Sequence, residues 1–200
     1  MYIQKTIKEY LGDLAAKLPA PGGGSASALS GAAGIALLEM VCNFTVGNKK
    51  YKESEEDIAR HLVSLRALRE AFSALIDEDA EVYSRISEAF KTKDEKNIDK
   101  ALKDGYYISV KICGLSKNGL RIALDLSDKG NANLITDVGC GAASLKAAFD
   151  SGVFNAEINL KGIKDRGFVS GETKELKASR EEMDGLYAKS VDRVNERIRQ

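Results

Sequence analysis

The chain has 200 residues, with 30 basic and 30 acidic side chains and a formal net charge of zero at pH 7. This length is enough for one domain with its own hydrophobic core, and we expect residues 1–200 to form a single domain. The balanced charge, without clustered lysine and arginine, argues against a nucleic-acid-binding protein. Three scattered cysteines, with no signal peptide at the start, are typical of reduced thiols in a cytoplasmic protein.

Helical periodicity begins near the start of the chain. The first predicted helix ends at Pro19 and has apolar residues at helical spacing: Ile3, Ile7, Leu11, Leu14 and Leu18. The second spans roughly Ser25–Thr45 and consists mainly of alanine, glycine and serine, with the single charge of Glu39. Because small residues let neighbouring helices approach closely, we interpret this segment as buried in protein rather than in a membrane.

The third predicted helix is long, and Ser54 with Asp57 is spaced as a capping pair at its start. Its stripe of residues at steps of three and four is Ile58, Leu62, Leu65, Arg69, Phe72, Ile76, Asp79, Tyr83, Ile86 and Phe90. A fourth helix is predicted from Asp94 onward, with an interruption near Asn118-Gly119.

After a turn at residues 128–131, a fifth helix is predicted, followed by an irregular, glycine-containing region at residues 150–171. The last element is an amphipathic helix from Leu176 to Ile198. No repeat or linker divides the chain. The pattern therefore predicts an all-α, single-domain helical bundle with long helices.

The segment Pro21-Gly22-Gly23-Gly24-Ser25 stands at the start of the second predicted helix. Successive glycines let a backbone approach another group closely, and a helix N-terminus presents unpaired N–H groups and a positive dipole end. These properties suit an anionic or amide-bearing small molecule. A tight turn between helices, with no ligand, explains the same residues equally well.

Asp79 interrupts the apolar stripe of the third predicted helix. A carboxylate on a buried face must be paired, hydrogen-bonded or functional, and burial raises its pKa toward the range useful for proton transfer. Asp79 is therefore the candidate catalytic acid/base. The alternative is a boundary aspartate that reaches solvent, which is what we expect of Asp77 on another face.

Three further polar groups are candidates for binding. Asn133 and Asp137 share a helix face and, with Asn131, present the amide and carboxylate groups that read the edge of a heterocycle, or else a helix cap and an exposed aspartate. A second group follows the small-residue helix and contains Asn43, Thr45, Asn48, Lys49, Lys50 and Tyr51. Its lysines suit an acidic substrate tail, or only the C-terminus of the helix. The third group is the pair Asn155 and Asn159.

Several chemistries do not fit the sequence. His61 is the only histidine, so neither a Ser-His-Asp triad nor a zinc site is expected. The glycines at residues 22–24 follow a helix and lack the Lys-Ser/Thr ending, so they match neither dinucleotide-binding nor P-loop motifs. We therefore expect no metal ion and no prosthetic group.

Five segments, in order over nearly the whole chain, resemble the cyclodeaminase/cyclohydrolase family of folate enzymes: Pro19–Gly34, Met40–Tyr51, Asp77–Ala80, Gly130–Gly139 and Phe154–Leu160. The resemblance implies an all-α bundle that forms a homodimer and acts on a tetrahydrofolate derivative. It gives Asp79 as the catalytic residue. The substrate-binding residues that it implies are Pro21, Gly22, Gly23, Gly24, Ser25, Lys49, Lys50, Tyr51, Asn131, Asn133 and Asp137. From the polar groups described above, Asn43 and Asn159 are added as binding candidates. The glycine turn then becomes a pocket wall where bare backbone lets a flat ring or its tail lie close.

Two positions depart from the pattern of the family that the chain resembles. Asn48 stands where a lysine is usual, which weakens the expected contact with a glutamate tail. Ser109 stands where many members have a proline, which leaves the path of the fourth helix open. The segment Met40–Gly47 resembles the stand-alone hydrolases somewhat more closely than the deaminases.

We therefore expect a cyclohydrolase that converts 5,10-methenyltetrahydrofolate to 10-formyltetrahydrofolate, since the sequence shows no fused formiminotransferase. The alternative is a 5-formimidoyltetrahydrofolate cyclodeaminase that works with a separate formiminotransferase. A folate-binding bundle without catalytic activity is a further alternative.

Overall fold

The computed structural model describes all 200 residues and contains six α-helices and no β-strand. The helices are α1 (Ile7–Ala15), α2 (Gly23–Thr45), α3 (Glu55–Thr92), α4 (Glu95–Lys129), α5 (Ile135–Gly162) and α6 (Arg166–Ile198). Short 3-10 turns lie at Tyr2–Gln4, Lys49–Ser54 and Ala132–Leu134. The predicted all-α bundle of long helices is confirmed.

Helix α2 packs against α3, α4 and α5, and α6 covers the outer side of α4 and α5. The chain reverses between successive long helices, so that α3 and α5 both run antiparallel to α2. Ser25 and Glu39 of α2 contact Asp79 and Arg69 of α3, in that order along α2. On the α5 side, Gly34 of α2 lies against the backbone of α5.

The small residues of α2 allow these close contacts. A Cβ added at Gly34 would lie 2.9 Å from the backbone oxygen of Gly141, and a Cβ at Gly31 would overlap the ring of Phe72. By length and composition α2 is apolar enough to cross a membrane, but 56% of its most apolar window is buried inside the protein. Its buried Glu39 accepts a 2.7 Å hydrogen bond from Arg69. These contacts are those of a core helix, as predicted.

The prediction for the first helix is wrong in extent and in face. Helix α1 begins only after Thr6, whose side chain forms a capping box with Glu9, and it ends at Ala15. Ile7 is 78% exposed and Leu11 is also exposed, whereas Tyr10 is buried. A nine-residue helix at the edge of the bundle buries little surface, so one aromatic anchor outweighs the apolar stripe.

Two predicted interruptions are also wrong. Helix α4 continues without a break through Asn118-Gly119, because Gly119 provides space for the side chains of Ile35 and Leu145. The region predicted to be irregular is helical except for residues 163–165. Its glycines at positions 152 and 162 likewise lie against α4. Gly119 and Gly152 therefore mark close helix crossings rather than helix ends.

Helix α3 begins where predicted, but the side chain of Ser54 makes no capping hydrogen bond, so the predicted capping pair is wrong. The apolar stripe of α3 is buried as far as Ile76 and Val82. Beyond them Tyr83 and Phe90 are half exposed, because α3 extends past the first residue of α2.

The two positions that depart from the resembled pattern have local structural roles. The side chain of Asn48 accepts a 3.1 Å hydrogen bond from the N–H of Lys50 and so starts the turn after α2. The hydroxyl of Ser109 donates to the carbonyl of Gly105 at 2.9 Å, within the continuous helix α4. The path of α4 is therefore regular at this position.

Candidate active site

The N-terminal end of α2 lies between two helices that extend beyond it. Helix α3 runs on from Asp79 to Thr92, and α5 runs on from Asn155 to Gly162. Helix α4 lies behind them, where a Cβ at Gly105 would be only 2.8 Å from Ile86 and 3.1 Å from Asn159. Past the first residue of α2, α3 and α5 therefore continue together along α4.

Asp79 lies directly against the start of α2. Its Oδ2 accepts a 2.9 Å hydrogen bond from the N–H of Ser25. The N-cap residue, Gly22, has no side chain that could accept from the first turn, so Asp79 caps α2 from the neighbouring helix. A Cβ at Gly24 would overlap the Asp79 carboxyl group. Residue 24 must therefore be glycine if Asp79 is to reach the helix.

This contact changes the interpretation of the glycine segment. The Cα of Gly24 is covered by the Asp79 carboxyl group and is not open to a ligand, in contrast to the pocket wall expected from the sequence. A Cβ at Gly22 would meet no atom within 4 Å, and one at Gly23 would lie 3.6 Å from the Nδ2 atom of Asn155. Open space beside the backbone is thus found at residue 22, residue 23 is in ordinary contact with Asn155, and the neighbouring Pro21 and Ser25 are buried.

The electrostatic surroundings of Asp79 favour proton transfer. Burial raises the pKa of its carboxyl group, and the hydrogen bond from Ser25 lowers it in part. No basic side chain pairs with this carboxylate, and its Oδ1 atom accepts no hydrogen bond. A carboxyl group with a raised pKa and one free oxygen can both accept and return a proton.

Asn155 and Asn159 lie one helical turn apart on α5, and Asn155 is next to Gly23 at the start of α2. Each Nδ2 donates to a backbone carbonyl one turn earlier, at 2.8 Å in both cases. These bonds fix the carboxamide groups and leave their oxygens without a donor. The i, i+4 spacing in the sequence indicates this pair. Asn155 lies closer to α2 than Asn159 does, and we therefore include both as binding candidates.

Tyr10 is a site residue that the sequence analysis missed. Its hydroxyl lies 3.0 Å from the hydroxyl of Ser25, and the side chain is 4% exposed. The signal was present, because Tyr2, Tyr10 and Leu14 recur at multiples of four residues. The longer apolar stripe of the same segment concealed it.

The remaining predicted residues lie at the C-terminal end of α2. Asn131 binds there through its backbone N–H to the Thr45 hydroxyl at 3.0 Å and through its Nδ2 to the carbonyl of Phe44 at 3.3 Å. Its Oδ1 accepts from the hydroxyl of Tyr51 at 3.3 Å. The Tyr51 hydroxyl in turn accepts a 2.9 Å bond from the N–H of Ala132.

Around these hydrogen bonds, Asn43, Lys49, Lys50 and Asn133 are exposed, and Asp137 is half-buried with no hydrogen-bond partner. We call residues 22–25, Asp79, Asn155 and Asn159 the N-terminal cluster. The C-terminal cluster contains Asn43, Lys49, Lys50, Tyr51, Asn131, Asn133 and Asp137. Because the 23 residues of α2 separate them, the two clusters lie about 33 Å apart. One chain therefore does not bring the predicted site residues together.

The largest cavity, of about 720 Å³, lies beside the N-terminal cluster on the outer side of α3. It is lined by the first residues of the chain and by one face of α3 that includes Asp77 and Tyr83, but not Asp79. Asp77 accepts backbone hydrogen bonds from Tyr2 and Ile3, so the expectation of a merely solvated side chain is wrong. This carboxylate holds the N-terminal segment, and Asp79 remains the candidate acid/base.

No cluster of histidine, cysteine, aspartate and glutamate has the arrangement of a metal site. The single histidine, His61, instead contacts Asp125 of α4 through its Nε2 atom at 2.6 Å. Cys42 and Cys113 are buried, and burial raises the pKa of each thiol to about 12, whereas Cys140 is exposed.

Comparison with known proteins gives consistent matches over this fold. The family model described as formiminotransferase-cyclodeaminase matches residues 6–178. Methenyltetrahydrofolate cyclohydrolase of Methylorubrum extorquens is 36% identical over 203 residues, which cover 97% of this chain and 94% of that protein. Formimidoyltransferase-cyclodeaminase of Mus musculus is 25% identical over 83% of this chain, which spans about a third of that longer protein.

The fold has a close structural counterpart. The crystal structure of formiminotetrahydrofolate cyclodeaminase from Thermotoga maritima superposes with a TM-score of 0.92 and 28% sequence identity, covering 96% of both chains. The family match extends over most of the sequence, and the first relative named above is alike over nearly its whole length. The chain therefore belongs to the formiminotransferase-cyclodeaminase family.

Proposed function

We propose that the protein hydrolyses 5,10-methenyltetrahydrofolate to 10-formyltetrahydrofolate, with Asp79 as general acid/base. The observation that carries this proposal is the Asp79 carboxyl group at the start of α2, with a raised pKa and a free Oδ1 atom. The similarity to a methenyltetrahydrofolate cyclohydrolase over nearly the whole of both chains supports the choice of reaction.

The reaction adds water to the cationic carbon between N5 and N10 of the substrate. The Asp79 carboxylate accepts a proton as the water oxygen bonds to that carbon, which gives a neutral tetrahedral intermediate. Asp79 then returns the proton to N5 as the carbon–N5 bond breaks. The hydroxyl proton of the intermediate leaves to solvent, and the formyl group remains on N10. Water is the only co-reactant.

Cyclodeamination is the second candidate, and the structural similarity to a cyclodeaminase favours it. In that reaction N10 attacks the carbon of the protonated formimidoyl group, Asp79 carries the proton from N10 to the leaving nitrogen, and ammonia leaves as the cationic methenyl product forms. The same carboxyl group serves both reactions, since each forms or breaks a bond between nitrogen and the one carbon. We place the protein in the cytoplasm and, if cyclodeamination is its reaction, pair it with a separate formiminotransferase.

The proposal includes a homodimer, because one chain separates the two clusters. Between them α2 presents an unpartnered, largely apolar face that contains Leu29, Ala33, Leu37, Met40 and Phe44, the last 61% exposed. Exposed side chains of α5 extend it: Cys140, Ala143, Ala147, Phe154 and Ile158. A two-fold axis across the middle of α2 would pair this face with itself and bring the N-terminal cluster of one protomer to the C-terminal cluster of its partner.

The reaction is tested by offering the purified protein each substrate separately. The expected result, which supports the hydrolase, is that the methenyl compound loses its absorbance and that the 5-formimidoyl compound releases no ammonia. Ammonia release from 5-formimidoyltetrahydrofolate, with no turnover of the methenyl compound, would assign the deaminase instead. If folate binds and neither substrate reacts, the protein is a non-catalytic folate-binding bundle and the proposal fails.

The role of Asp79 is tested by Asp79→Asn, which preserves the acceptor for the Ser25 N–H. We expect folate binding to persist and kcat to fall by at least about two orders of magnitude, the size of a general acid/base contribution. Glu78→Gln is the matched control, because this neighbouring carboxylate forms only a surface ion pair with Lys111. Near-normal kcat in Asp79→Asn would remove Asp79 from the mechanism.

The shared site is tested by mixing two inactive variants, Asp79→Asn from the N-terminal cluster and Asp137→Asn from the C-terminal cluster. If each site uses both protomers, a mixed dimer has one site with both substitutions and one intact site. Equal mixing should then restore about a quarter of the wild-type activity, the statistical share of intact sites. No recovery, in protein shown to have exchanged subunits, would exclude the shared site.

A further inference from the structure

Helix α1 is held to the bundle mainly by one side chain. Tyr10 is the only buried residue of the helix, while Ile7 and Leu11 face outward. The ring of Tyr10 meets the ring of Tyr2 edge to face, with centroids 6.2 Å apart. A tyrosine that is buried to its hydroxyl needs a polar partner there, and the partner in this structure is Ser25.

Ser25 connects Tyr10 to the carboxyl group of Asp79. The side chain of Ser25 is fully buried, and the Tyr10 hydroxyl, at 3.0 Å, is the only hydrogen-bond partner of its Oγ atom. The backbone N–H of the same residue donates to Asp79 Oδ2 at 2.9 Å. One residue of the first turn of α2 is therefore fixed from both sides, by α1 and by α3.

We propose that Tyr10 is a positioning residue for Asp79, which it serves by holding Ser25 so that the Ser25 N–H stays on Oδ2 and Oδ1 stays free for proton transfer. This inference rests on the proposed function for its catalytic meaning. The contact between Ser25 and Asp79 exists whatever the reaction is, so its effect on Asp79 is measured separately from turnover.

The physical argument concerns the start of a helix without a cap of its own. Ser25 is in the first turn, where N–H groups have no partner within the helix, and Gly22 provides none. Without the Tyr10 hydroxyl, the buried Ser25 Oγ would have to turn to a nearby backbone group, and such local bonds compete with the helical geometry of the residue. The Ser25 N–H would then move away from Oδ2.

The predicted consequence is a change in the titration of Asp79. The Ser25 N–H favours the ionised carboxylate and opposes the effect of burial on the pKa. Tyr10 from α1 is the titratable side chain that faces this pair, and no charged side chain of α2, α4 or α5 pairs with Asp79. Loosening the Ser25 contact should therefore raise the pKa of Asp79 further.

Tyr10→Phe removes one hydroxyl and retains the ring. We expect kcat to fall about five-fold, the net effect of one hydrogen bond. The acidic limb of the kcat profile should move to higher pH, because the base form of Asp79 is lost at a higher pH. Tyr2→Phe is the matched control: it removes a hydroxyl from the same segment, which donates to the carbonyl of Ala20 at 2.8 Å and does not contact Ser25.

A readout without turnover is the NMR titration of protein with ¹³C-labelled aspartate carboxyl groups, assigned through Asp79→Asn. Tyr10→Phe should move the Asp79 midpoint upward, and adding Ser25→Ala to Tyr10→Phe should return it toward the wild-type value, because no Ser25 Oγ remains to compete for the backbone. An unchanged midpoint in Tyr10→Phe, or an equal shift in Tyr2→Phe, would overturn the proposal. A shift in protein that turns over neither substrate would support the role of Tyr10 and reject only the proposed function.

Discussion

The two ends of α2 differ in how their polar groups are satisfied. At the N-terminal end, Asp79 Oδ1 and the oxygens of Asn155 and Asn159 have no hydrogen-bond donor. At the C-terminal end, Asn131 and Tyr51 use their polar atoms on each other and on the backbone of the turns. The first end offers groups to a ligand, and the second fixes two loops against the helix.

This difference distinguishes the N-terminal end of α2, which holds the catalytic candidate, from the C-terminal end, whose hydrogen bonds hold the loops in place. A catalytic carboxyl group must keep one oxygen free and be held by the other, which is the state of Asp79. A loop anchor has its hydrogen bonds already made, which is the state of Asn131. The exposed Asn43, Lys49, Lys50 and Asn133 and the half-buried Asp137 are the members of the C-terminal cluster that remain free to meet a substrate.

The largest expected effect follows from closing the gap at Gly24. In Gly24→Ala the new Cβ would overlap the Asp79 carboxyl group, so either α3 shifts or Asp79 leaves the helix start. We expect a loss of about 1–3 kcal/mol in the free energy of unfolding, as for other overpacked sites, measured by urea denaturation. The rate should fall at least about a hundred-fold, as in Asp79→Asn.

Gly23→Ala is the control for this change. A Cβ at residue 23 would make ordinary contacts at 3.6 Å with Asn155, and alanine is the better helix former. Its free energy of unfolding should equal or slightly exceed that of the wild type. Equal destabilisation by both substitutions would mean that the close approach of Asp79 is not what requires glycine at position 24.

A smaller overall effect is expected at the other end of α2, where stability falls and the rate does not. Asn131→Ala removes the side-chain bonds to Phe44 and Tyr51 and the cap of the following turn. We expect a loss of about 2 kcal/mol in urea denaturation. Asn43→Ala, at an exposed position in the same cluster, should stay within about 0.5 kcal/mol of the wild type. If Asn131→Ala instead raises KM and leaves stability intact, this end is a ligand surface and the contrast fails.

The sequence predicts this fold well where helical periodicity extends over many residues. It predicts the fold poorly where a single tertiary contact determines which face of a helix is buried or whether the helix continues. The long stripe of α3 and the small-residue run of α2 each correspond to a helix near the expected bounds. Gly119 was interpreted as a break, because a sequence does not show which glycines face a neighbouring helix. The sequence favours the exposed stripe of α1 as core, because that longer apolar stripe conceals the shorter series Tyr2, Tyr10 and Leu14.

The site was predictable in part for the same reason. Asp79 interrupts an apolar stripe, so a local pattern marks it. Its proximity to Gly24 is a contact between residues 55 positions apart, which local patterns do not encode. The separation of the two clusters depends on the length of α2 as a rigid spacer. The sequence prediction assigns the residues at both ends of α2 to one binding site. Only a second copy of the chain would bring the two clusters together in one site.

The smallest expected effect is a gain in the stability of Asp79→Asn, whereas Gly24→Ala and Asn131→Ala lose stability. Burial raises the pKa of Asp79 in the folded protein, so the ionised group costs folding free energy at every pH above that folded pKa. The cost disappears as the pH falls through the folded pKa toward about 4, the ordinary value for aspartate. Asp79→Asn carries no charge and still accepts from Ser25. It should therefore have a higher Tm than the wild type at neutral pH, with a difference that vanishes in acid.

Glu78→Gln controls for the removal of one acidic charge from the same turn of α3. Its exposed ion pair with Lys111 predicts little change in Tm at either pH. Parallel Tm curves for wild type and Asp79→Asn from neutral to acidic pH would show that the Asp79 carboxylate is not strained by its burial. A converging pair would show that the free oxygen at the N-terminal end of α2 is maintained at the expense of stability, as expected for a group selected for proton transfer.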